Sequence, residues 1–337
     1  MLMAHKAQLH FRQTVRARLR DIAIRNGVFL TGGEWSIGVA ALDSLEDIPE
    51  LVNAPSVLTA AGTGRASARF VADPFLFEQG STVYMFMEVL DGYSDRGVIG
   101  LAELNDHSWT FSGIALAESF HLSYPQVLQS DGQFYMIPET MDERCVKLYR
   151  AAAFPYEWEY CCTLLDGAPY SDASLFEHAG QWWMFVESSL GPDFDTLRLF
   201  SSQHLKGPWT EHPCSPVIEG NAQASRPAGP PIVSEGRIIR LAQDCSEVYG
   251  AAVFGFEVLR LDSRGYEERP LGPEPLLAGT GAGWNGQAMH HISLIRRNGG
   301  WLAAVDGRPK PGFRFFRWQR RRRESSPVTE DQRQQLS

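Results

Sequence analysis

VADPFLFEQGSTVYMFMEV (71–89) decides the fold, because the chain repeats its pattern four more times. The later copies are LSYPQVLQSDGQFYMIPET (122–140), YSDASLFEHAGQWWMFVES (170–188), ASRPAGPPIVSEGRIIRLAQD (224–244) and AMHHISLIRRNGGWLAAVDG (288–307). Each has a polar or aromatic head, an apolar run, a Gly-containing turn, and a second apolar run ending in an acid or amide. The heads are Asp73, Tyr124, Asp172, Arg226 and His290, and the ends are Glu88, Glu139, Glu187, Gln243 and Asp306. Successive heads stand 51, 48, 54 and 64 residues apart. A period near 50 residues is that of a propeller or array.

Two further strands follow each early unit: GVIGLAEL (97–104) and SWTFSGIAL (108–116), VKLYRAA (146–152) and EWEYCCTLL (157–165), LRLFSS (197–202) and PWTEHP (208–213). Four strands per unit describe a blade. The expected fold is therefore all-β, a five-bladed β-propeller with a short N-terminal helix. The Trp residues of the outer strands are expected between blades. WSIGVAAL (35–42) precedes the first unit and is expected to close the ring with the last blade, removing exposed strand edges. Residues 6–26 carry an amphipathic stripe of Leu9, Val15, Leu19 and Ile22, read as a helix on the outside of the domain. The expected division is 1–32 helix and linker, 33–319 propeller, and 320–337 a disordered basic and polar tail.

Composition narrows the function. The net charge of −9 argues against a nucleic-acid partner. No apolar run is long enough to span a bilayer, and no secretory leader is visible at the N-terminus. The five Cys lack metal-ligand spacing and read as reduced thiols, which suggests a cytoplasmic protein. Adjacent Cys161 and Cys162 are expected to face opposite sides of a strand. GTGRASAR (62–69) and AGTGAGWNG (278–286) lack the strand–helix setting of a phosphate loop.

In a propeller the first strand of each blade lines the axis. The ten aligned positions would converge there, where charged groups need partners or a solvated cavity. Converging carboxylates suit glycosidic-bond chemistry, one acid protonating the leaving oxygen and another activating water or attacking carbon, with a catalytic pair roughly 5–10 Å apart. Tyr124, Trp182, Trp183 and Trp284 are candidate sugar-stacking faces. The alternation of side chains on a strand predicts that only one of His290 and His291 reaches the axis. No transition-metal site is expected; a Ca²⁺ ion in the central channel is the one cofactor considered. Asp244, after Gln243, reads first as a loop-ordering carboxylate. Arg226 has two readings: an internal pair with Asp172 or Glu187, or recognition of an anionic ligand.

RFVADPFLF (69–77), FHLSYPQVLQSDGQFYMIPET (120–140), SRPAGP (225–230), RLAQDC (240–245) and GWNGQAMHHI (283–292) closely resemble the N-terminal propeller domain of plant glucosamine inositolphosphorylceramide transferases and stand-alone bacterial relatives. That domain is similar in architecture to five-bladed glycosidases such as arabinanases, xylosidases and invertases. In the plant proteins an exostosin-like glycosyltransferase domain follows, and the residues after 307 are expected to be too few for one. By the glycosidase resemblance, Asp73 sits like the first-blade base and Asp172 like the carboxylate that tunes the acid. The fourth blade offers Arg226 and Gln243 where several of those enzymes place the acid. The expected catalytic set is thus Asp73, Glu139, Asp172 and Glu187, with Glu139 or Glu187 as acid. Tyr124, Arg226, Gln243, Asp244, His290 and His291 would bind substrate. The expected function is that of a carbohydrate-active, glycoside hydrolase-like enzyme; the alternative is a non-catalytic glycan or glycolipid module serving a separate transferase.

Overall fold

A computed structural model describes residues 28–31, 34–191 and 194–315. The expected N-terminal helix and the basic tail lie outside the described residues. The larger compact unit spans Gly33–Lys310. A second unit contains the antiparallel pair Val28–Thr31 and Gly312–Phe315.

The larger unit is a five-bladed propeller. Blade 1 comprises Ala68–Gln79, Thr82–Asp91, Arg96–Asn105 and Ser108–Leu116, each strand antiparallel to the next. Blade 2 comprises Ser123–Ser130, Gln133–Glu139, Cys145–Ala153 and Glu157–Asp166. Blade 3 runs from Ser171–His178 through Gln181–Glu187 and Leu197–Ser202 to Thr210–Glu211. Blade 4 splits its inner strand into Arg226–Pro227 and Ile232–Ser234, followed by Arg237–Gln243, Ala252–Leu261 and Tyr266–Pro270.

Blade 5 is assembled from both ends of the unit. Ile292–Arg297 and Gly300–Gly307 are its inner strands, and Ser36–Leu42 and Ser56–Leu58 complete it outward. The N-terminal stretch therefore supplies two strands where one was expected.

Each seam between blades has its own apolar core. Phe86, Ile99, Met136 and Tyr149 fill the seam of blades 1 and 2. Leu148, Leu175, Met184 and Phe200 fill that of blades 2 and 3. Phe185 and Ile238 meet between blades 3 and 4. The seam of blades 4 and 5 adds Ile48 and Leu51 from the 3₁₀ segment Leu45–Asn53. Trp109, Trp158 and Trp209 pack into three of these cores, as their outer-strand positions predict. Burying such side chains contributes about 1.5–3 kcal/mol each. The seams fix the blades around the axis, and so the inner-strand residues relative to one another.

Candidate functional site

All ten aligned positions are buried at the axis, although seven of them are carboxylates or histidine. Local backbone geometry aims the first three heads. The inner-strand ladder slips between Ala72 and Phe75, Ser123 and Gln126, and Ser171 and Ser174. Within these bulges Asp73, Tyr124 and Asp172 adopt left-handed backbone, with φ of 50°, 46° and 51°. Non-glycine residues rarely pay this strain, and bulges re-aim side chains at functional sites.

Blade 4 is built differently. Its inner strand is interrupted at Ala228–Pro231, where the Ala228 N–H still donates to the Leu241 carbonyl at 3.1 Å and Gly229 takes φ of 127°. A Cβ on Gly229 would lie 1.9 Å from the Ile292 carbonyl oxygen, so only glycine fits. Its N–H donates to Tyr124 Oη at 2.6 Å, and Tyr124 Oη also bonds Ser174 Oγ at 2.7 Å.

The charges form two linked groups. In the first, Arg226 Nε donates to Asp172 Oδ2 at 2.6 Å, and Arg226 Nη2 reaches Glu139 Oε2 at 3.4 Å. Gln243 Nε2 also donates to Asp172 Oδ2, at 2.9 Å, and the Asp172 N–H donates to Glu139 Oε2 at 3.3 Å. Arg226 is thus an internal partner of Asp172, as one reading held; its second partner is Glu139, not Glu187. Glu187 instead accepts the N–H of Ser189 at 2.6 Å, together with its hydroxyl.

In the second group, Asp306 Oδ1 accepts His290 Nδ1 at 2.7 Å and the N–H groups of His290 and His291, both at 3.1 Å. Its Oδ2 accepts the Asp73 N–H at 3.0 Å. His290 Nε2 then lies 3.8 Å from Asp73 Oδ1, and His291 Nδ1 lies 3.9 Å from the same atom. Both histidines therefore reach the axis. The expectation that only one would is wrong because residues 290–291 precede the strand, where alternation does not apply. Neither ring nitrogen of His291 has a hydrogen-bond partner among the described residues.

These environments move protons. Burial pushes Asp73 up to about 7, opposed by His290 and reinforced by Asp172 and Asp306. Burial and neighbouring carboxylates hold Glu88 and Glu139 well above the usual carboxylate range. Burial also raises Glu187, against its Ser189 bonds. It would depress His290, but Asp306 outweighs it and the imidazole is raised. Burial lowers His291 to about 4.

The site opens beside Glu139. A cleft of about 350 Å³ is lined by Asp95, Arg96, His121, Glu139, Met141 and Asp142. His121 Nδ1 accepts the Gly97 N–H at 2.9 Å, which leaves the proton of a neutral ring on Nε2. That nitrogen lies 3.4 Å from Glu88 Oε1, which has no hydrogen bond among the described residues.

Aromatic groups cover the axis, but not those expected. Trp35 stacks on His290 with ring centroids 4.0 Å apart. Phe194 and Tyr249 lie 4.4 and 5.0 Å from the Arg226 guanidinium. Tyr249, 42% exposed, also meets His290 edge-on. Gly250 allows this approach, since a Cβ there would lie 2.7 Å from the His290 ring. By contrast, Trp182 and Trp183 pack in blade seams. Trp284 fills a slot over Gly38 and Gly307 and donates to the Ala54 carbonyl at 3.1 Å. Tyr124 is fully buried. Of these four, Tyr124 and Trp183 are buried, and Trp182 and Trp284 are half-buried. Asp244 caps its own turn through the Ser246 N–H and hydroxyl, in keeping with a loop-ordering carboxylate. Trp35, His121, Phe194 and Tyr249 were not singled out from sequence because they stand outside the repeat's aligned columns.

Asp73, His290 and Asp306 gather side-chain ligand atoms within 4.8 Å. Asp306 already accepts four protein N–H donors, three on Oδ1 and one on Oδ2, which hold the heads in place.

The fold is that of a five-bladed β-propeller with its polar residues gathered at the axis. Among solved structures, the fold matches an exo-β-1,3-galactanase of Clostridium thermocellum (TM-score 0.52, 13% identity, 63% of this chain and 51% of that one). It also matches a family 117 glycoside hydrolase of Zobellia galactanivorans (TM-score 0.51, 13% identity, 82% and 91%). The chain belongs to the family described as glucosamine inositolphosphorylceramide transferase 1, N-terminal, whose sequence profile matches residues 48–308. It is 37% identical over 253 residues to glucosamine inositolphosphorylceramide transferase 1 of Oryza sativa subsp. japonica, covering 72% of this chain and 34% of that protein. The Arabidopsis thaliana protein of the same name is 31% identical over 299 residues, covering 82% and 39%. The chain thus spans between a third and two fifths of these relatives' length.

Proposed function

We propose that this chain is a glycan-processing protein that binds a sugar at the axis and acts on its glycosidic bond. Glu139 carries the reading. It is an axial carboxyl that lines an open cleft, and burial and the neighbouring Asp172 raise its pKa, as a general acid needs. Asp73, beside His290 and His291, is the base or nucleophile. Asp172, held by Arg226 and Gln243, tunes Glu139. Arg226, Gln243, His290 and His291 orient the sugar, while Tyr124 braces the inner strands. The relatives' names support a sugar or glycolipid ligand.

A second reading is a binding module that serves a separate transferase. The pairing of Arg226 with both Asp172 and Glu139 favours it, since the axis then balances its charges without turnover. One experiment separates the two. The purified protein is screened against nucleotide sugars, glycans and glycolipids, recording binding by calorimetry and sugar release by mass spectrometry. The catalytic reading expects Glu139→Gln to keep a ligand and lose its hydrolysis or transfer. Binding with no turnover in the unmutated protein leaves the module. No binding by any sugar-containing compound overturns both.

A further inference from the structure

On a regular strand Cys161 and Cys162 would face opposite sides. They do not. In the pairing of Cys145–Ala153 with Glu157–Asp166, Leu148 faces Cys162 while Tyr149 faces Tyr160. Cys161 is left as the extra residue of a β-bulge. Both side chains turn to the seam of blades 2 and 3, against the core that contains Tyr135 and Leu148. The two thiols are thereby neighbours on one side of the strand, against the same core. Both are free and only partly buried. Lys206 of blade 3, whose ammonium sits 5.5 Å over the Tyr135 ring, adds a positive charge that acts on both sulfurs.

We infer that Cys161 and Cys162 form a dithiol site that chelates a soft, thiophilic centre of the trivalent-arsenic type through both sulfurs. Soft thiolate ligands select such centres. Two sulfurs held side by side raise the effective concentration for the second bond. Burial, with Cys161 beside it, pushes the Cys162 thiol up to about 11, so Cys162 rests as a thiol. With an organoarsenic(III) oxide, two As–S bonds form and two S–H bonds break. The oxide oxygen leaves as water with both thiol protons, and no element changes oxidation state.

The test uses the full chain and phenylarsine oxide. Intact-mass measurement and thiol counting should find one adduct that consumes two thiols. It should survive excess glutathione, a monothiol, and be removed by dimercaptopropanol, a dithiol. Cys161→Ser and Cys162→Ser should each weaken the glutathione-resistant adduct by about 100-fold or more. Cys145→Ser and Cys245→Ser should retain it. Circular dichroism confirms that each variant folds, with Cys161→Ala as a second variant at the bulge. A wild-type adduct that glutathione strips, or one that persists in folded Cys161→Ser, overturns the site.

Discussion

Arg226 of blade 4 reaches across to blade 3 and donates from Nε to Asp172 Oδ2 at 2.6 Å, with both side chains buried. The same guanidinium touches Glu139 of blade 2, so one cation holds three blades at the axis. Removing one partner of a buried pair leaves an uncompensated charge and costs about 3–5 kcal/mol. Arg226→Met should therefore lower unfolding free energy by about that amount at pH 8. Arg226 pulls down a Glu139 that is already raised. Without it Glu139 neutralises more readily, so the loss should shrink towards pH 5. Urea unfolding at both pH values measures this; an equal loss at each would refute the charge argument.

Asp73 gives a pH dependence of the opposite kind to an ordinary salt-bridged acid. Its folded value, about 7, lies above the ordinary 3.8. Folding takes up a proton in that window, so the contribution is fully present below about pH 4 and lost as pH rises through about 7. Asp73→Asn cannot ionise. The variant should gain stability relative to the wild type between pH 5 and pH 8, while losing ligand binding. Melting temperatures at the two pH values provide the check, and a constant difference would contradict the assignment.

His291 works the other way. Its folded value, about 4, lies below the ordinary 6.5. Its contribution is present above pH 6.5 and lost as pH falls through about 4. The ring lies among Phe75 and Tyr124, with centroids 4.6 and 5.2 Å away. His291→Phe should fold and lose less stability on acidification than the wild type. An unchanged acid transition would remove His291 from the titrating groups.

Tyr249 is the most accessible aromatic over the axis. Tyr249→Ala should leave the melting temperature within a few degrees, because exposed substitutions rarely exceed about 0.5 kcal/mol. It should weaken any sugar that binds above Arg226 about tenfold, by loss of a stacking face. Calorimetric titration of the ligand found in the screen decides; unchanged affinity would place the sugar elsewhere.

The repeat made the blade number and the ten axial residues legible, because each head and strand end recurs in register with an apolar frame. Features outside that register were not. Strand alternation admitted only one of His290 and His291 to the axis, because the strand's start, Ile292, was not marked in sequence. Trp284 looked like a stacking face because nothing local tells that Gly38 and Gly307, far apart in the chain, leave a slot for it. Phe194 and Tyr249 sit on the loops between the second and third strands of blades 3 and 4, outside the aligned heads and strand ends. The bulge at Cys161 depends on its partner strand, which a single stretch of sequence does not reveal.

Ring closure also sets a timetable. Ile37 pairs with Asp306, the carboxylate that holds Asp73, His290 and His291, and the neighbouring Trp35 stacks on His290. During synthesis, an early strand must wait for nearly the last one before it finds its partner. Such distant pairing is slow to form. Until then four blades can assemble, but Asp73 and Trp35 lack the groups that orient them. A nascent or prematurely terminated chain therefore cannot display the finished pocket, and a ligand that recognises it would report only on rings that have closed.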